Sequence, residues 1–170
     1  IATHPGGPLG LAPTAAGVPK WLRSAVGSTE TRIEQMAQLL YPAEYLAIAD
    51  REALMARMRL QFEVMPAKKT SMFQLLAVAR HDTRNKLAGI RVPTLVVKPS
   101  RDELVRPFHS DRLYRGIPGA KLLVVPDAGH GITQARIVHH LVHRVAAFDL
   151  AARRSAEDVG DLGVVCLGRV

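Results

Sequence analysis

Cysteine is nearly absent from this chain. A single residue, Cys166, excludes an intramolecular disulfide and any cysteine-rich zinc site built within one chain. Long apolar runs are missing as well: no stretch approaches the ~20 uninterrupted apolar residues of a membrane-spanning helix. Aromatic residues make up 5%, too few to interleave stacking platforms with basic side chains for specific nucleic-acid binding. Residues 1–18 hold no charged side chain and no basic segment ahead of an apolar block, which reads against a secretory signal. There is no initiator methionine, so the chain reads as a stretch inside a longer gene product or as a processed one. These absences predict a cytoplasmic protein with no membrane span.

What is present is ordinary for a globular domain. Apolar residues make up 48% of the 170 and charged residues 22%, too mixed for disorder. The net charge of +8 comes from 23 Lys and Arg against 15 Asp and Glu, scattered without a long basic block. A solvated basic surface is the expectation, rather than a nucleic-acid interface.

The texture changes along the chain. Residues 1–20 are rich in Gly, Pro and Ala, and Pro5-Gly6-Gly7-Pro8 is a turn signal that lacks the lysine and hydroxyl of a phosphate loop. Residues 21–88 read as helices. Ser28 or Thr29 can cap one with Ile33, Met36, Ala37 and Leu40 inward, closed by Pro42; Asp50 can cap another with Leu54, Met55, Met58 and Phe62 inward. Thr70 or Ser71 opens a third containing Met72, Leu75, Leu76 and Ala79. All five methionines lie in this block. They read either as helix core or as an adaptable apolar lining over a ligand, for which Met55, Met58 and Met72 are the candidates.

The pattern then turns to strand, helix, strand. Thr94-Leu95-Val96-Val97 is a β-branched run typical of a buried parallel strand. Residues 107–117 read as a helix with Phe108, Leu113 and Ile117 inward, stopped by Pro118-Gly119. Lys121-Leu122-Leu123-Val124-Val125 is the second strand. This is a βαβ unit. A long helix is predicted over 133–153, with Thr133 as its N-cap, and residues 155–170 have no assignable role. His139 and His143 share a face of that helix, but no H-E-x-x-H glutamate lies between them, so no metal and no cofactor are expected.

Ligands of open parallel sheets gather at the carboxyl ends of the strands. The loop after the first strand offers Asp102; the loop after the second offers His130 between Gly129 and Gly131, with Asp127 as a competing acid. An aspartate that accepts from one imidazole nitrogen fixes the tautomer and leaves the other nitrogen free as a base. Flanking glycines would let the backbone turn sharply there.

Three stretches carry a resemblance. Residues 92–105, VPTLVVKPSRDELV, the turn Ile117-Pro118-Gly119-Ala120-Lys121-Leu122, and Ala128-Gly129-His130-Gly131 resemble the acid strand, the connecting turn and the histidine loop of the α/β-hydrolase superfamily. Acid before histidine, 28 positions apart, fits the family order Ser, Asp, His. The resemblance implies a partial α/β-hydrolase fold in four parts: a post-nucleophile strand end and loop (1–20), a helical cap (21–88), the C-terminal part of the core (89–154) and a tail (155–170). It implies Asp102 and His130 as catalytic acid and base of a serine hydrolase acting on a small ester, lactone or related carbonyl compound. Two departures stand out. Pro99 replaces the family's usual glycine, and no G-x-S-x-G exists. None of Ser24, Ser28, Ser71, Ser100, Ser110 and Ser155 sits on a strand-to-helix elbow. The nucleophile is therefore expected on a separate N-terminal half, the chain alone is expected to be inactive, and the rival reading is a non-catalytic basic binding module.

Overall fold

A computed structural model describes residues 4–7, 10, 12–64 and 68–133. The expected helix over 133–153, the paired histidines on it and the tail lie outside the described residues.

Five helices precede the sheet. The first, α1, spans Gly17–Ala25 and starts earlier than Trp21, inside the segment expected to be irregular. Thr14 starts it: its Oγ1 accepts from the Gly17 N–H at 3.1 Å, and its carbonyl accepts from Val18. Pro19 is tolerated because first-turn N–H groups have no helical partner. Helix α2 (Thr29–Leu40) is capped by Ser28 through the Thr31 N–H. Helix α4 (Arg51–Glu63) is capped by Asp50 through the Ala53 N–H. Between them lies α3 (Ala43–Ile48), too short to show a periodicity in sequence. Helix α5 covers Lys68–Arg80 and begins ahead of Thr70. A 3-10 turn over Arg84–Gly89 leads to the sheet.

The cap core forms where α2 meets α4. Ile33, Ala37, Tyr41, Leu54, Met55 and Met58 are buried together, with Met36, Leu40 and Phe62 packed on the margin. Positions 33, 37 and 54, 58 recur at helical spacing, so one stripe of each helix faces the other. Met55 and Met58, offered from sequence as ligand lining, sit in this packed cluster, with Met58 1% exposed. Met72 is 66% exposed on α5 and is not part of that cluster. Met72, Phe73, Leu75, Leu76 and Val78 of α5 are exposed large hydrophobics, Met72 and Phe73 the most.

Strands β1 (Leu95–Pro99) and β2 (Lys121–Val125) pair in parallel, Val97 opposite Leu123 and Pro99 opposite Val125. Helix α6 (Phe108–Gly116) connects them. On one face Leu95, Val97, Leu123 and Val125 pack with Ala128 and Ile132. On the other, the Lys98 ammonium binds the Asp111 carboxylate of α6 at 2.7 Å. Parallel strands usually have both faces covered, yet Val124 is an exposed large hydrophobic here. Within α6 the buried residue is His109 rather than the expected Phe108 or Leu113, which are only half-buried.

His109 belongs to a group of three histidines drawn from distant parts of the chain. The His4 ring lies 5.4 Å, centroid to centroid, from both His81 and His109. His4 Nδ1 accepts from the Gly6 N–H at 3.0 Å, and Thr83 N–H donates to Pro5 O at 2.8 Å. Gly6 itself forms an antiparallel bridge with Asp82 at φ 90°, and a Cβ there would collide with the His81 carbonyl. The 4–7 segment is thereby fastened to the end of the helical block.

Two outcomes test these assignments. Met58→Ala should cost about 2–5 kcal/mol in urea unfolding through the cavity it leaves, and Met72→Ala about 0.5 kcal/mol or less. Equal losses would contradict the placement of the two side chains. The second concerns His4, whose pKa is held below the ordinary 6.5 by burial first and then by the charges of His109 and His81. The unfolded chain takes up this proton at higher pH than the native one does. The His4 contribution is therefore complete above pH 6.5 and is lost as pH falls through the lowered value. His4→Asn keeps an acceptor for Gly6 and removes the titration. It should flatten the slope of unfolding free energy against pH below 6.5; an unchanged slope would contradict the assignment.

Candidate active site

Register brings the two loops together. Because Pro99 pairs with Val125, the chain after each strand leaves the sheet at the same edge. Pro99, standing where a glycine was expected, is the last residue of β1. The next two residues stitch the loops. Ser100 N–H donates to Val125 O at 3.0 Å, Arg101 N–H donates to Ala128 O at 2.9 Å, and Asp127 N–H donates to Ser100 Oγ at 3.0 Å.

Asp102 follows directly and is buried, at 6% exposure. Its Oδ1 accepts from the N–H groups of Leu104 at 3.0 Å and Val105 at 2.8 Å, closing a local turn. Its Oδ2 lies 2.9 Å from His130 Nδ1. A carboxylate only accepts, so the proton of this bond sits on Nδ1 and the lone pair of the neutral ring on Nε2. The competing acid, Asp127, turns away: it is exposed and its Oδ1 takes Arg101 Nη2 at 2.9 Å.

The glycines beside His130 do something other than turn. Neither has a positive φ. A Cβ on Gly129 would come within 2.5 Å of Leu40 O, and a Cβ on Gly131 would run into the Tyr41 ring. They let the histidine loop lie against the C-terminal end of α2, which fixes the loop from the cap side.

The acid loop is held from its other side by the N-terminal segment. Thr14 N–H donates to Glu103 O at 2.9 Å, Lys20 Nζ meets Glu103 Oε2 at 2.6 Å, and Arg106 Nε donates to Ala12 O and Pro13 O. These ties, and the role of Arg101, were not foreseen from sequence. The only local signal is a basic residue immediately before the acid. A cleft of about 190 Å³ lies between Lys20, Gln38, Tyr41, Glu44, Arg101 and Glu103, smaller than the ~300–1,000 Å³ of a typical small-molecule site. No methionine lines it.

Among the described residues, no group of three or more His, Cys, Asp or Glu side chains has a metal-binding arrangement, and no helix is long and apolar enough to cross a membrane.

A parallel pair with a crossover helix, acid and histidine at one edge and a block of helices ahead of them match part of the α/β-hydrolase fold. No family model matches the chain. It is 31% identical over 104 residues to RutD of Klebsiella pneumoniae, a protein named as a carbamate hydrolase, covering 61% of this chain and 39% of RutD. Among solved structures it resembles the enol-lactonase of Burkholderia xenovorans with a TM-score of 0.60 at 23% identity, covering 77% of this chain and 48% of the lactonase. A hydrolase from Pseudomonas aeruginosa superposes with a TM-score of 0.61 at 21% identity, covering 81% and 51%. The chain thus spans about half the length of these structures and less of the curated relative.

Gly131→Ala should destabilise the chain by about 1–3 kcal/mol, as expected of a close-packed site forced apart, and Tyr41→Ala should lower that penalty. Additive losses, measured by urea unfolding of the single and double variants, would contradict the contact.

Proposed function

We propose that this chain supplies the acid and the base of a serine hydrolase acting on a small ester, lactone or related carbonyl compound. The observation that carries the reading is the 2.9 Å contact between Asp102 Oδ2 and His130 Nδ1, with the carboxylate buried. Asp102 holds the ring in the Nδ1–H form. Nε2 then takes the proton of an attacking serine and returns it to the leaving group, while Asp102 stabilises the imidazolium formed between these steps.

No G-x-S-x-G elbow surrounds any of the chain's six serines. The serine and the oxyanion donors are assigned to sequence outside these 170 residues, and the chain alone to an inactive state. Exposed hydrophobics on α5, Met72 and Phe73 above all, fit a surface that meets protein or ligand. In this reading residues 1–20 follow the nucleophile strand, 21–88 form the cap and 89–154 the end of the core. The names of the relatives favour carbonyl substrates with a heteroatom leaving group.

The test is a fluorophosphonate probe applied to the native gene product. It should label that product, and Asp102→Asn, which places the ring proton on the wrong nitrogen, should lower turnover by on the order of 10⁴-fold. An unlabelled native product would favour the binding-module reading instead.

A further inference from the structure

Arg101 binds three partners on two other elements. Its backbone N–H donates to Ala128 O at 2.9 Å, its Nη2 meets Asp127 Oδ1 at 2.9 Å, and its Nη1 meets Glu44 Oε1 at 2.5 Å. Ala128 and Asp127 belong to the histidine loop, and Glu44 lies in the first turn of α3. Asp127 is the one non-glycine residue with positive φ among the described residues, at 53°. Aspartate tolerates that left-handed conformation better than most residues with a Cβ, and local contacts hold Asp127 in it. Here the contacts are Ser100 Oγ on its N–H and Arg101 on its carboxylate.

We propose that Arg101 is a positioning residue: through Asp127 it sets the path of the histidine loop so that His130 keeps Nδ1–H on Asp102, and through Glu44 it couples that pair to the cap. The inference rests on Asp102 and His130 being acid and base. Both ion pairs are exposed, so each is weak and screened by salt. Their effect is directional. A guanidinium presents two nitrogens to two acids at fixed separation, which a lysine ammonium, a single flexible point, does not reproduce.

The experiment reads the His130 tautomer in the full chain by ¹⁵N NMR of ring-labelled histidine, with His130→Gln assigning the signals. At a pH where the ring is neutral the parent should hold mainly Nδ1–H. Arg101→Ala and Asp127→Asn should each lower the ratio of Nδ1–H to Nε2–H by about two- to five-fold, the scale of an exposed ion pair. Arg101→Lys should fall between, and high salt should move the parent toward the variants. An unchanged ratio in Arg101→Ala, even with a lowered melting temperature, would reduce Arg101 to a structural tether and overturn the proposal. Should Arg101→Ala not fold, an unchanged ratio in Asp127→Asn overturns it equally. Asp102→Asn separates the two levels: if that change leaves the ratio alone, the acid–base reading fails, whatever Arg101 does.

Discussion

The parallel pairing of β1 with β2 is the constraint on which the site depends. Pro99 opposite Val125 means that both strands end level, and each following loop starts within hydrogen-bond reach of the other. A slip of one residue would turn Leu123 and Val125 away from Ala128 and Ile132 and carry Asp102 out of line with His130. The apolar face of the sheet and the polar contact at its edge therefore enforce the same register.

Two further supports come from outside the βαβ unit. The histidine loop rests on the end of α2, which approaches so closely that only glycine fits at 129 and 131. The acid loop is gripped by the N-terminal segment through Glu103 and Arg106. Cap and N-terminal segment thus each hold one half of the Asp102–His130 pair. The helical block does so while burying its own core of Ile33, Leu54 and Met58, so the packing that stabilises it also braces the pair.

Much of this was legible in the residues. Strand β2, the caps Ser28 and Asp50, and the inward stripes of α2 and α4 follow from local pattern alone, because capping and periodicity are short-range physics. The acid and histidine were weak signals singly and became a pair only through the spacing of three resembling motifs. What stayed hidden depends on long-range packing. The grouping of His4, His81 and His109 joins residues more than 70 positions apart. The glycines at 129 and 131 suggested a sharp turn, whereas their cause is a neighbouring helix. Methionine spacing announced a helix face, but whether that face met core or solvent was decided by packing: α4 packs on α2, and no α5 residue joins that core.

The central claim is that Asp102 accepts a proton-bearing contact from His130 at a buried sheet edge. Its most direct measurement is the proton spectrum of the chain in the far-downfield region where strongly hydrogen-bonded imidazole N–H groups resonate. The account predicts one such resonance, coupled to the Nδ1 of His130 and abolished by Asp102→Asn. A spectrum without it in the folded parent chain, or one in which it survives that substitution, would contradict the account.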